Sequence, residues 1–126
     1  YPPRLSVVEG MLSIIDAYWT VGGSRVTTCK LWDEVTAHVV LRASEAPVEG
    51  TIMVKIRKDL VLMPDVDVRA VKFEVFLSKD EVKEFTVTFT PNEPSSISLR
   101  GYFIEVEGDL SWTMPNTYPP RLRVSS

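Results

Sequence analysis

Five segments of this chain alternate apolar and polar residues with a period of two, the spacing of side chains on the two faces of a β-strand. In residues 35–42, Val35, Ala37, Val39 and Leu41 share one face, and Thr36, His38 and Arg42 the other. Ile52, Val54 and Ile56 alternate with Met53, Lys55 and Arg57. Val71, Phe73, Val75 and Leu77 alternate with Lys72, Glu74 and Phe76. Phe85, Val87 and Phe89 alternate with threonines, and Tyr102, Ile104 and Val106 with Phe103, Glu105 and Glu107. A strand with one apolar face must bury it, and a chain with few helical patterns buries it on a second sheet. The expected fold is all-β, an antiparallel sandwich of about seven to nine strands.

Turn chemistry separates the segments. Residues 46–50, Met63-Pro64-Asp65, Ser78-Lys79-Asp80 and residues 91–95 carry the breaks. Residues 11–19 fit a helix by spacing, but β-branched Ile14, Ile15, Thr20 and Val21, followed by Gly22-Gly23, favour a strand ending in a turn. The doubled isoleucine predicts a bulge that exchanges the inner and outer faces. Ser78 and Glu81 have capping-box spacing, which allows at most one helical turn there.

The chain begins Tyr1-Pro2-Pro3-Arg4-Leu5-Ser6-Val7, and Tyr118-Pro119-Pro120-Arg121-Leu122-Arg123-Val124 repeats it with one difference. A string recurring at a long offset marks an array of similar units. On that reading residues 1–117 form a single sandwich module. Residues 118–126 are then a joint or the start of a following repeat. Prolines donate no ladder hydrogen bond, so each string reads as a stiff joint leading into a first strand. The C-terminal string is then dispensable, or pairs with an open edge of another copy, while residues 1–7 are integral.

The stretch Glu84-Phe85-Thr86-Val87-Thr88-Phe89, a polar Pro/Ser loop, and Gly101-Tyr102-Phe103-Ile104-Glu105-Val106 resemble the late strands of immunoglobulin-like modules of prokaryotic surface proteins. Asp33-Glu34-Val35-Thr36-Ala37 resembles the start of an early core strand of that family. The cell-adhesion-related, CARDB-like group is the nearest resemblance, over roughly residues 30–108. It implies an immunoglobulin-like sandwich used for adhesion or for spacing domains.

The net charge is −3 with both signs interleaved, so no basic block tracks a phosphate backbone and no nucleic-acid partner is expected. No apolar run approaches the roughly 20 residues that span a bilayer as a helix, so this segment is not expected to insert in a membrane. Cys29 is the single cysteine. Glutamine is absent and asparagine scarce, while valine, arginine and glutamate abound, a bias that points to a thermophilic archaeal source.

Candidate chemistry is sparse. His38, the single histidine, reads as a general base or as a surface residue of a polar strand face. Cys29 beside Lys30 reads as a nucleophile or as a buried strand residue. Asp59, Asp65 and Asp67 are the candidate ligands for calcium, against which stand the neighbouring Lys58 and Arg69. Trp19, Trp112 and Tyr118, with Tyr18 and Trp32, are candidates for a platform on which sugars stack, or for core and joint packing. Outward-facing Val40, Met53, Phe76 and Phe103 form a docking patch if they cluster.

These readings converge on a non-catalytic module of a larger extracytoplasmic protein, without cofactor or required metal. Its expected partners are neighbouring modules of the same chain or another surface protein, with self-association through the terminal strands. A cytoplasmic location remains open. The alternative is a carbohydrate-binding accessory module of a larger enzyme.

Overall fold

The computed structural model describes residues 11–44, 46–108, 112–113 and 118–126, with the backbone alone at Met11, Trp112 and Thr113. Residues 1–7, expected to be an opening strand, lie outside the described residues.

Ten strands are described: β1 Met11–Val21, β2 Ser24–Val26, β3 Thr28–Lys30, β4 Val35–Ser44, β5 Val48–Leu60, β6 Val66–Leu77, β7 Val82–Phe89, β8 Leu99–Gly108, β9 Trp112–Thr113 and β10 Arg121–Ser125. They form two packed sheets. One runs β2-β1-β4-β7, with β9 beside the first half of β1; the other runs β3-β10-β8-β5-β6. The all-β sandwich read from the alternation is what the chain forms. Each alternating segment turns the face its pattern marks toward the core, as in β4, where Val35, Ala37, Val39, Leu41 and Ala43 are all buried; in β6 Val75 and Leu77 are buried and Val71 and Phe73 half-buried. Two pairs depart from the expected antiparallel pattern. β9 lies parallel to β1, and β3 lies parallel to β10. Only Thr27 separates β3 from β2, so β3 keeps the heading of β2 as it crosses to the second sheet.

The doubled isoleucine is a bulge. Ile14 opposes Leu41 and Asp16 opposes Val40, which leaves Ile15 as the extra residue. Leu12 and Ile14 are buried before it, Ala17 and Trp19 after it, so the inner face changes parity there. Ser78 and Glu81 form no helix. The Glu81 carboxylate accepts from the Ser78 amide at 2.9 Å, closing the tight link between β6 and β7. Asp80 takes the left-handed conformation this link requires, at φ 65°.

The core lies between the sheets. Trp19 tilts against Phe89, and Phe89 against Tyr102, with ring centroids 5.7 and 5.2 Å apart. Phe73 and Phe85 join the sheets near the β6 edge at 5.2 Å. Such tilted contacts suit the ring quadrupoles and add to the area buried.

The C-terminal string corrects the expected domain boundary. Residues 118–126 are neither a loose joint nor the start of a following unit, because β10 is an interior strand of the second sheet. Arg121 and Leu122 pair with Phe103 and Tyr102 of β8. Arg123, Val124 and Ser125 pair with β3. Leu122 and Val124 are buried in the core. The Tyr118 hydroxyl oxygen accepts from the Val106 amide at 2.8 Å. The Trp19 indole donates to the Pro120 carbonyl at 3.2 Å. The prolines precede the strand and leave its ladder donors intact, which is the position the sheet tolerates.

Candidate functional site

The outer face of the first sheet gathers the polar chemistry of the chain. β1 turns Asp16, Tyr18 and Thr20 outward, β4 contributes His38, and β7 contributes Glu84. Register alone assembles them: Tyr18 opposes His38, and Glu84 opposes Val40 on the other flank of β4. The Tyr18 and His38 rings stack with centroids 4.6 Å apart and planes within 2°. Thr20 Oγ1 lies 2.7 Å from His38 Nε2, and His38 Nδ1 lies 2.9 Å from Glu84 Oε1. A neutral imidazole satisfies both contacts only with its proton on Nδ1, so the threonine donates and the carboxylate accepts. Tyr18 donates to the same Glu84 oxygen at 2.8 Å. Arg25 caps the other face of the Tyr18 ring, 4.4 Å from its centroid, and forks onto Asp16 at 2.9 and 3.1 Å.

The electrostatics follow. The hydrogen bond from Tyr18 holds the Glu84 carboxyl below its usual range, with help from His38 and against a desolvation cost. The same bond raises the Tyr18 phenol. Hydrogen bonding to Asp16 raises the Arg25 guanidinium. A hydroxyl, an imidazole and a carboxylate in series match the order of a nucleophilic relay. Thr20, however, sits within a ladder, where its strand pairs with both β2 and β4. Acyl transfer needs free amides aimed at a developing oxyanion, and amides committed to ladders cannot serve. The cluster therefore reads as a polar lock across three strands.

Cys29 is buried, and desolvation with the nearby Asp33 pushes its thiol up to about 11. It stays protonated at neutral pH, which removes the nucleophilic reading.

The sugar platform is corrected at two of its residues. Trp19 is 1% exposed, because the bulge at Ile15 turns it inward. Tyr118 packs against the core and is tied to Val106. The side chain of Trp112 lies outside the described residues. The calcium candidates do not converge. Asp59 is paired with Arg121. One Asp65 oxygen accepts from the Leu60 amide at 3.0 Å. Asp67 is held by Arg57 at 2.7 Å and Lys55 at 3.5 Å. Among the described residues, no group of three or more His, Cys, Asp or Glu side chains could hold a metal ion. The outward apolar residues do not cluster either. Val40 lies on the first sheet and the others on the second. Phe103 is buried, with the guanidinium groups of Arg57 and Arg121 6.0 and 5.8 Å from its ring centroid.

One group of exposed apolar side chains lies at one end of the sandwich, while Phe76 and Val82 are exposed beside the link between β6 and β7. Trp32 is 67% exposed, Leu62 89%, Met63 67% and Ile97 96%. Backbone hydrogen bonds bring their loops together around the end of β10. Leu31 donates to Ser125 at 2.7 Å, Trp32 to Pro91 at 3.1 Å, Val61 to Ser98 at 3.1 Å and Ser95 to Val124 at 2.7 Å. Trp32 takes φ 71°, which the tight turn after β3 requires. These side chains sit in turn segments, where strand alternation gives no cue to burial. The sequence signal that marks them is large apolar residues placed within turn segments.

No protein-family model matches the chain, and no curated protein matches it. Among solved structures, the crystal structure of a β-glucosidase from Listeria innocua in complex with gluconolactone aligns at 13% identity with a TM-score of 0.48. The alignment covers 88% of this chain and 16% of that one. At that level of similarity the match carries no functional inference.

Proposed function

We propose that the chain is a non-catalytic interaction and spacing module of a larger extracytoplasmic protein, one that docks a neighbouring unit on its apolar end. The observation carrying this reading is the exposure of Trp32, Leu62, Met63 and Ile97 on loops hydrogen-bonded to one another around the end of β10. Scattered apolar residues on a surface mean little, but large ones gathered at one end mark a contact surface. Each contributes about 1.5–3 kcal/mol when fully covered, so covering the four outweighs the ordering of short, already braced loops. The rigid sandwich beneath fixes the direction in which a covered neighbour points. Of the aromatic candidates of the carbohydrate-binding alternative, Trp19 and Tyr118 are turned into the fold, Tyr18 is stacked between His38 and Arg25, and Trp32 is exposed at the apolar end.

The test replaces Trp32, Leu62 and Ile97 by serine in the full chain. Sedimentation of the parent chain is expected to show concentration-dependent association that the triple variant loses. The melting temperature should move by less than about 4 °C, since these side chains make little contact within the fold. Identical sedimentation of parent and variant would count against the reading.

A further inference from the structure

We propose that residues 1–7 are a second closing strand, built to seat between β3 and β8 of another unit of this fold. The inference deepens the module reading and rests on it, by naming the neighbour as a further copy of the same sandwich.

The C-terminal copy of the string shows what such a string does in this fold. Tyr118 receives the Val106 amide. The Pro120 carbonyl receives the Trp19 indole from the opposite sheet. Arg121 pairs with the buried Asp59. Leu122 and Val124 fill the core. Tyr1, Pro3, Arg4, Leu5 and Val7 repeat every one of these residues in the same order. The single mismatch within the string is Arg123 against Ser6, and Arg123 is exposed. It serves the slot through its backbone, donating to the Thr27 carbonyl at 3.0 Å. The next two residues also differ, Ser125 against Val8 and Ser126 against Glu9, and both serines are exposed. Identity is thus kept at both core-filling positions, Leu122 and Val124, and at the three that bond to the sandwich through Tyr118, Pro120 and Arg121, while the differing positions are exposed, although the Ser125 hydroxyl also donates to the Cys29 carbonyl at 3.3 Å. A linker would show no such division, since its side chains have no slot to satisfy.

The spacing fits a tandem arrangement. Val8, Glu9 and Gly10 separate residue 7 from β1, and a fully extended stretch of that length reaches about 14 Å. A unit closed by residues 1–7 would therefore hold its apolar end close to the start of β1 of this one. On this reading the string closes each unit instead of opening it.

The experiment uses the full chain with Leu5→Asp, Leu122→Asp and Val124→Asp, which silences both of its own strings. It is mixed with a peptide of residues 1–9, a peptide of residues 118–126, or the first peptide carrying Leu5→Asp. Both unmodified peptides should bind one-to-one by calorimetry and restore a cooperative thermal transition that the silenced chain lacks, because they bind only the folded state. The Leu5→Asp peptide should do neither. Binding by the 118–126 peptide alone overturns the proposal. If the silenced chain binds neither peptide, the graft Arg123→Ser, Ser125→Val, Ser126→Glu decides, since it places the sequence of residues 1–9 in the slot of an otherwise unchanged chain. A melting temperature within about 4 °C of the parent supports the proposal, and a loss of about 10 °C or more overturns it. The end-face serine variant leaves this slot intact, so failure there and failure here are separate results.

Discussion

A chain ending at residue 117 is expected to lose its cooperative thermal transition. Removing residues 118–126 takes Leu122 and Val124 out of the core, at about 1.5–3 kcal/mol each. It strands the Trp19 indole and the Val106 amide, whose partners are Pro120 and Tyr118, at about 1–3 kcal/mol each where they stay buried. It also opens β8 and β3 along their shared neighbour, exposing ladder groups of two strands. The sum, about 5–12 kcal/mol, is of the order of the whole stability of a domain. Calorimetry of the truncated chain should therefore show a broad or absent transition. A melt with unchanged enthalpy and midpoint would mean that β10 contributes little.

Gly101→Ala is expected to be among the most damaging single substitutions. Gly101 sits at φ +146° where β8 passes β10, and a Cβ there would overlap the carbonyl oxygen of Leu122. Backbone cannot give way as a flexible side chain does, so either the β8–β10 pairing opens or the residue abandons its conformation. A cost of about 3 kcal/mol or more follows, a drop of roughly 10 °C or more in the melting temperature. Gly22→Ala is the control. Gly22 also has positive φ, +58°, but nothing lies within 4 Å of its added Cβ. Its cost should stay near 1 kcal/mol, the conformational preference alone. Equal melting temperatures for the two variants would refute the close approach of β8 and β10.

What was legible in the sequence was whatever depends on neighbours along the chain. The alternation of residues 35–42 announced β4 and its buried face, because side-chain parity is a local property. The doubled isoleucine announced the bulge for the same reason. Trp19 was also within reach. Once the bulge exchanges the faces, Trp19 shares the parity of Ala17 and opposes that of Tyr18 and Thr20, so it points inward.

The rest depended on partners distant in sequence. β10 is five residues behind two prolines, and locally it reads as a joint. Its place between β3 and β8 is set by non-local pairing, which no window of the chain displays. The lock of Thr20, His38 and Glu84 draws on three strands, and only their mutual register brings the groups within hydrogen-bond distance. Asp59, Asp65 and Asp67 are near one another in sequence. They lie on β5, on the link after it and on β6, and each is taken by a different partner: Arg121, the Leu60 amide, and Arg57 with Lys55.

β10 is the strand that closes this sandwich, and native-state hydrogen exchange of the full chain tests that role directly. The Arg123 amide, bonded to Thr27, and the Val124 amide, bonded to Ser95, should exchange as slowly as those of β4 at the centre of the first sheet, opening only with the whole fold. Exchange of the β10 amides at the rate of a frayed terminus, with β4 still protected, would contradict it.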